Sequence, residues 1–244
     1  MSDQSQQPDE LGTPDVPGVH PEVRHRREVE IVLVRHGQSQ WNAEGRYQGQ
    51  LGPGLTELGH QQAVAAADFL ERSFTGFDRA IASDLPRVQE TAQPWRDATG
   101  VTPTVDVEWR EIDAGAWSGL FPADVRERFA DQVAAVDRGE DIHRGGGETF
   151  AELRARTWRA MTAAVTQPFD DVPTDREARI VVFTHGGCIN MAAAEALGLP
   201  PMAHKWLRGP ANCSVTVLRH QVEPTEGGRR IVTSELVDYN VATS

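Results

Sequence analysis

The sequence predicts an α/β fold with a parallel sheet at its centre. Residues 31–34 and 180–183 are apolar runs rich in β-branched side chains, which is typical of buried strands. A histidine and a glycine follow soon after each run, beginning at His36 and His185. Because open α/β sheets bind ligands at the carboxyl ends of their strands, we expect the two histidines to lie over one pocket.

Strands and helices alternate after the first run. Thr56 can cap a helix over about 57–72, because its hydroxyl can accept from a free backbone N–H group. The predicted apolar face of this helix comprises Leu58, either Val64 or Ala66, Ala67 and Leu70. A strand at 77–82 then runs into Ser83, and the helix that follows ends at Gly100. This order favours right-handed parallel crossovers.

The middle of the chain carries weaker structural signals. Residues 105–107 are predicted to form a short strand, and residues 122–136 one or two helices. Thr149 and Glu152 have the spacing of a capping box, in which each side chain satisfies a backbone N–H of the other. This box predicts a helix that runs to about residue 165.

The last third of the chain completes the sheet. A helix is predicted over about 187–197, and strands at 214–218 and 231–237 form a closing hairpin. Residues 1–29 contain too little apolar surface to offset the entropy of ordering, so we expect a disordered extension. Residues 30–244 are then expected to form a single domain.

Charge and composition narrow the classes of binding partner. The formal net charge of −12 argues against nucleic acid and anionic membranes, because both require a basic face. It permits an anionic small substrate in a locally positive pocket. No apolar run is long enough to span a bilayer, and residues 1–29 lack the apolar core of a secretory signal. The isolated Cys188 and Cys213 favour a reduced, cytoplasmic chain, although the sequence leaves their pairing open.

Four motifs follow one another along the chain. They are VRHGQSQWN at 34–42, SDLPRVQETA at 83–92, REIDAGAWSG at 110–119 and HGG at 185–187. Together they resemble the signatures of the histidine phosphatase superfamily, in its phosphoglycerate-mutase-like branch, and the resemblance covers roughly residues 30–240. The resemblance implies a three-layer α/β/α sandwich with a mostly parallel central sheet, and an enzyme that acts on small phosphorylated molecules.

The resemblance also implies roles for the charged residues of these motifs. His36 would be the nucleophile and would carry a phosphohistidine intermediate. Arg35 and Arg87 would contact the phosphoryl oxygens through their planar guanidinium groups. His185 would donate to the same oxygens from the start of a helix, where Gly186 exposes backbone N–H groups to an anion. We expect the two arginine charges to keep His36 neutral, as a nucleophile must be.

The leaving alkoxide needs a proton, for which the sequence offers two carboxyl groups. Glu111 and Asp113 would share a face of an extended segment, so geometry alone does not separate them. The match to the family motif favours Glu111 as the proton donor. Asn42 matches a family position that contacts the phosphoryl group. Gln48 is a further phosphate-binding candidate, with a solvated loop amide as the equally weighted alternative.

No metal and no organic cofactor are predicted. The eight histidines show no paired ligand spacing with cysteine or carboxylate residues. Arginine side chains would neutralise the phosphoryl charge that a metal ion neutralises in other enzymes. The expected partner is a small phosphorylated substrate, with no nucleic acid and no membrane, and a homodimer is left open.

Departures from the family pattern favour a phosphatase over a mutase. Phosphoglycerate mutases typically continue after the acid position with an Arg-His-Tyr-Gly type sequence, whereas this chain has IDAG at 112–115. The loop at 50–54 also lacks the family's usual acidic residue. Glycines at 145–147 suggest an open pocket that admits water. We therefore predict a phosphomonoesterase, with a cofactor-dependent phosphoglycerate mutase and a non-catalytic phosphate-binding domain as alternatives.

Overall fold

A six-stranded mixed sheet lies at the centre of this computed structural model, which describes residues 26–169, 172 and 176–243. Its strand order is β3-β2-β4-β1-β5-β6. The first four of these strands are parallel, and β5 and β6 are antiparallel to their neighbours. The strands are β1 (Arg27–Arg35), β2 (Arg79–Ala82), β3 (Thr104–Val105), β4 (Ala178–Thr184), β5 (Val215–Thr225) and β6 (Gly228–Val241).

Helices cover both faces of the sheet. The α-helices of the described residues are α1 (Gln40–Glu44), α2 (Glu57–Ser73), α3 (Pro86–Thr99), α4 (Pro122–Arg128), α5 (Ala130–Asp137), α6 (Phe150–Thr166) and α7 (Gly186–Ala196). Among them, none is both long and apolar enough to cross a membrane.

Alternation along β1 explains the three layers. Ile31 and Leu33 point into a core that α6 and α7 complete, whereas Val32 and Val34 point into a second core completed by α2 and α3. A strand buried on both faces must be apolar throughout, as this run is. The α/β fold and the three-layer sandwich are confirmed, with the C-terminal hairpin supplying the antiparallel edge.

The first strand begins earlier than the sequence suggested. Residues 27–29 were assigned to a disordered extension, but they form the start of β1. Val29 is buried and pairs with β4 and β5, and Arg27 donates to the carbonyl oxygens of Phe169 (3.3 Å) and Val172 (3.0 Å). These long-range contacts stabilise a segment whose local composition is polar. The remainder of the predicted extension, residues 1–25, lies outside the described residues.

Most helix predictions are confirmed at their ends, with one correction to a buried face. Thr56 caps α2, and the capping box of Thr149 and Glu152 is formed at the start of α6. The buried face of α2 consists of Gly59, Ala63, Ala66, Ala67 and Leu70. Leu58 is 48% exposed, so its assignment to the apolar face was wrong, and of the alternatives Val64 and Ala66 it is Ala66 that is buried. The alanines allow α2 to approach the sheet closely, which larger side chains would prevent.

Helix α2 therefore offers a matched test of the fold. Leu70→Ala should lower the free energy of unfolding by about 2–5 kcal/mol, because it leaves a cavity in a fully buried site. Leu58→Ala, on the same helix but exposed, should change it by less than about 0.5 kcal/mol. Urea unfolding measures both values, and equal losses would contradict the orientation of α2.

Candidate active site

The two histidines meet at the ends of adjacent parallel strands. Arg35, the last residue of β1, pairs in register with Thr184, the last residue of β4. The His36 backbone N–H donates to Thr184 O (3.0 Å), and the rings of His36 and His185 lie with their centroids 5.2 Å apart. Both side chains are buried. The expectation that the two histidines meet at the carboxyl ends of their strands is confirmed.

The environment of His36 fixes which ring nitrogen can react. Its Nδ1 lies 2.7 Å from Gly37 O. A carbonyl oxygen can only accept, so Nδ1 carries the proton and Nε2 keeps its lone pair. Burial, followed by the charges of Arg87 and Arg35, holds the pKa of His36 well below its ordinary value. The neutral ring that a nucleophile requires is thus favoured by both arginines, as expected, but burial contributes more.

Three buried nitrogens around His36 are unpaired. Among the described residues, no hydrogen-bond acceptor contacts Arg35 Nε, Arg87 Nε or His185 Nδ1. Burial lowers the pKa of Arg87 to about 10, so the group still carries its charge at neutral pH. Buried donors normally have partners, and a cationic pocket that leaves them unpaired is suited to an anion with several acceptor oxygens.

Arg87 is held by backbone as well as by its helix. It lies in the first turn of α3 and donates to Gly49 O (2.7 Å) and Leu51 O (2.9 Å). Arg35 donates through Nη1 to Pro210 O. Gly186 packs closely against Arg35, since a Cβ at this glycine would come within 3.3 Å of Arg35 Nε. These contacts fix both guanidinium groups beside the histidines.

The carboxyl of Glu111 lies at this pocket, and that of Asp113 does not. Glu111 accepts hydrogen bonds from the Gly187 N–H (3.1 Å), in the first turn of α7, and from its neighbour Ile112 (2.9 Å). The Asp113 carboxylate instead accepts from the Gly115 N–H (2.8 Å). From the sequence, geometry alone left both carboxylates open as proton donor, and the family motif favoured Glu111. Only Glu111 acts on the pKa values of Arg35 and Arg87, where it opposes the larger effect of burial.

The two candidate amides are linked through Ser39. Asn42 Oδ1 accepts from the Ser39 N–H (3.3 Å) and from Asn212 Nδ2 (3.2 Å), which leaves the Asn42 amino group as the end that can donate to a ligand. Gln48 donates to Ser39 Oγ (2.6 Å). It is 9% exposed, which rules out the solvated loop amide. Its Oε1 is buried and has no hydrogen-bond partner among the described residues.

Some residues of the pocket carried no clear sequence signal. Ser83 Oγ lies 3.0 Å from His185 Nε2, and a hydroxyl that donates there leaves the proton of His185 on Nδ1. Asn212 Nδ2 also donates to His36 O (3.0 Å). Ser83 belongs to a recognised motif and could have been identified from it. Asn212 lies far along the chain, in a segment where we recognised no motif.

The glycine-rich segment has a different role from the one expected. The glycines at 145–147 were taken to indicate an open pocket. A Cβ on Gly145 would approach the Ala116 backbone N to 2.6 Å, and one on Gly147 would approach Asp113 O to 2.2 Å. These two glycines therefore allow close packing against the loop that follows Glu111. Helices α4 and α5 pack against the same loop through a small apolar cluster around Trp117.

The described residues contain neither a disulfide bond nor a cluster of side chains that could bind a metal ion. Cys188 and Cys213 are both free and buried, so they do not form the pairing that the sequence left open. Within the described ranges, no group of three or more His, Cys, Asp or Glu side chains could hold a metal ion.

The sequence and structure are similar to those of known phosphatases and mutases. The profile of the Histidine phosphatase superfamily (branch 1) matches residues 31–234. The chain is 34% identical over 206 residues to a probable phosphoglycerate mutase, GpmB, of Enterobacter sp. (strain 638), covering 80% of this chain and 87% of that protein. It is 33% identical over 184 residues to a glucosyl-3-phosphoglycerate phosphatase of Mycolicibacterium vanbaalenii, covering 75% and 81%. A solved mycobacterial glucosyl-3-phosphoglycerate phosphatase superposes with a TM-score of 0.71 at 32% identity, covering 88% of this chain and 100% of that one.

A glycine should be required at position 187, because any side chain there would collide with the Glu111 carboxylate. A Cβ at this position would lie 2.0 Å from Glu111 Oε1. Gly187→Ala should therefore displace the carboxyl and lower kcat/KM for phosphomonoester hydrolysis by about 100-fold, the effect of a misplacement near 1 Å. Gly209→Ala, where a Cβ would meet nothing within 4 Å, is the control. Steady-state kinetics and Tm measure both variants, and an active Gly187→Ala enzyme would contradict this geometry.

The pKa of His36 should respond to the charge of Arg87. In the wild-type protein His36 should stay neutral as the pH falls through 6.5, its ordinary value, because its pKa is held well below it. Arg87→Met removes one of the like charges and should raise the pKa of His36. A pH titration of the histidine ring ¹⁵N shifts, assigned with His36→Ala, measures both. Titration of wild-type His36 at its ordinary value would show that the ring is not shielded as the structure implies.

Proposed function

Because this chain belongs to branch 1 of the histidine phosphatase superfamily, we propose that it is a metal-independent phosphomonoesterase that hydrolyses small phosphorylated metabolites. The observation that carries the proposal is the set of three unpaired buried nitrogens, on Arg35, Arg87 and His185, around the neutral ring of His36. A phosphoryl group supplies acceptor oxygens for those donors and an electrophilic phosphorus for His36 Nε2.

In the first chemical step, His36 Nε2 attacks phosphorus and the bond to the ester oxygen breaks. Arg35, Arg87, His185 and the Asn42 amino group hold the phosphoryl oxygens, with Gly186 at the start of α7. Gln48 also donates to the phosphoryl oxygens once its side-chain amide has rotated, so that Nε2 takes the place of the buried Oε1. Its contact with Ser39 survives this turn, since a hydroxyl can donate as well as accept. The leaving oxygen takes a proton from the Glu111 carboxyl, and His36 is left as a phosphohistidine.

In the second step, a water molecule replaces the released alcohol. The Glu111 carboxylate takes a proton from this water as the water oxygen attacks phosphorus, and the bond from phosphorus to His36 Nε2 breaks. Inorganic phosphate leaves, and both His36 and Glu111 return to their starting states. One carboxyl group thus serves as acid and then as base. The cationic side chains supply the charge neutralisation, so the proposed reaction needs no metal ion.

Phosphoglycerate derivatives are the substrate class that we favour. The phosphatase relatives described above are named for glucosyl-3-phosphoglycerate. Such a compound releases an alkoxide, a poor leaving group that needs the proton from Glu111. Sugar phosphates share this requirement and belong to the same proposal.

A phosphoglycerate mutase is the second candidate, because the matched curated relatives include proteins of that name. A mutase returns the phosphoryl group to a second substrate oxygen and must exclude water until then. The segment IDAG at 112–115 departs from the mutase pattern directly after Glu111, which favours hydrolysis.

The proposal also covers the cellular location and the binding partners of the enzyme. A cytoplasmic protein that binds neither nucleic acid nor membranes agrees with the net charge of −12 and with the two free cysteines. The sequence left a homodimer open, and light scattering coupled to gel filtration measures the oligomeric state.

Phosphate release from a panel of phosphomonoesters, with a chelator present, tests the reaction. The wild-type enzyme should release phosphate, His36→Ala should abolish release, and Glu111→Gln should lower it by about 10²- to 10⁴-fold, the usual range for a lost general acid. The panel includes 3-phosphoglycerate, which is also assayed for isomerisation. Isomerisation that exceeds release would establish the mutase instead. Release that survives in His36→Ala, or that the chelator abolishes, would refute the proposed mechanism.

A further inference from the structure

The segment that carries Glu111 is held by a side chain from another layer of the fold. Residues 108–113 contain only the end of a short 3₁₀ turn (Val107–Trp109). Arg156, on α6, donates through Nη1 to Glu108 O (2.6 Å) and Arg110 O (2.9 Å), and through Nη2 to Glu111 O (3.2 Å). Three backbone carbonyl oxygens of an irregular segment are thus bound by one guanidinium group.

Glu148 completes this arrangement. It accepts from Arg156 Nε (2.8 Å) and Nη2 (2.7 Å), so all five guanidinium N–H groups have acceptors. Glu148 Oε2 also accepts from the Asp113 N–H (2.9 Å), which binds the segment beyond Glu111. The Arg156 side chain is about nine-tenths buried, where an unpaired charge would be costly.

The contacts of Arg156 and Glu148 reach the backbone around Glu111 but not its carboxyl group. Arg156 binds the backbone of Glu111, whereas the Glu111 carboxylate turns to the Gly187 N–H at α7. Helix α6 therefore fixes the backbone of the segment, and α7 receives its side chain. Among the described residues, neither Arg156 nor Glu148 forms a hydrogen bond or an ion pair with His36 or His185. The charge of Arg156 makes only the smallest of several contributions to the lowered pKa of His185, so the contacts of the pair act on the reaction through Glu111.

We propose that Arg156, bound to Glu148, is a positioning residue that places the Glu111 carboxyl within reach of the ester oxygen. This inference rests on the proposed role of Glu111 as proton donor. The planar shape of the guanidinium group is essential to this role, because the group donates to a carboxylate from one edge and to three carbonyl oxygens from the others. A lysine keeps the charge but offers three N–H donors from one point, so it cannot satisfy these acceptors together.

Arg156→Lys tests the proposal through the basicity of the leaving group. Phenyl phosphate and 4-nitrophenyl phosphate have similar size, but phenolate is the more basic leaving group and depends more on a proton donor. We expect Arg156→Lys to lower kcat/KM for phenyl phosphate by about 10- to 100-fold and to change the value for 4-nitrophenyl phosphate far less. The ratio of the two values does not depend on the fraction of folded enzyme, so a partly unfolded variant still gives an answer.

Three further single variants and one double variant complete the design. Glu111→Gln shows the leaving-group effect of losing the proton donor itself, and Arg156→Lys should add little to it in the double variant. Glu148→Gln should resemble Arg156→Lys in direction. Arg159→Lys is the matched control, since Arg159 also lies on α6 and contacts the same segment, but through the exposed Glu108 carboxylate (3.1 Å). It should leave the ratio unchanged.

The outcomes separate this inference from the proposed function. A selective loss for phenyl phosphate in Arg156→Lys, absent from Arg159→Lys, supports the positioning role. Equal losses for both substrates, or no loss, would overturn it and assign Arg156 to stability alone. If Glu111→Gln itself shows no selective loss, Glu111 is not the proton donor, and both the proposed mechanism and this inference fail.

Discussion

The parallel pairing of β1 with β4 is the constraint on which the site depends. Their register sets Arg35 opposite Thr184, so the next residue of each strand is a histidine. Each strand is buried on both faces, so a one-residue slip would exchange the side chains that pack in the two cores. The position of His36 beside His185 therefore follows from the packing of the sheet. The loops add Glu111 and the amides of Asn42 and Gln48 around this fixed pair.

Burial at the ends of these strands determines the chemistry. Two imidazoles and two guanidinium groups lie together where water is largely excluded, and each positive charge makes protonation of the rings less favourable. The arrangement is costly for the folded protein, because cationic groups are buried beside unpaired donors. A bound phosphoryl group would relieve this cost by supplying negative charge and acceptors. Destabilising contacts of this kind are expected where a site is organised for its ligand.

The sequence predicted the parts of the site that local patterns encode. His36 and His185 follow recognisable strands, and Arg87 stands in the first turn of a predicted helix. The family motif favoured Glu111 over Asp113, but geometry read from the sequence could not separate them, because the difference rests on one N–H group of α7, distant along the chain. Nor did the sequence identify Arg156, since a guanidinium group that binds backbone carbonyls requires no particular residue opposite it. The same limit explains β1, where Arg27 is ordered by carbonyl oxygens about 140 residues away.

The demands on Glu111 explain why it should be fixed from two sides. In the proposed cycle, one carboxyl group gives a proton to the leaving oxygen and later takes one from water at nearly the same place. A side chain that moved between the steps would lose the benefit of orientation twice in each turnover. Here α7 supplies an N–H group to the carboxylate, and α6 supplies Arg156 to the backbone behind it. Both helices pack against the same face of the sheet, so the proposed proton donor shares a rigid support with His185. A phosphatase that relies on one carboxyl for both steps therefore gains from placing that residue in a loop that the core itself holds.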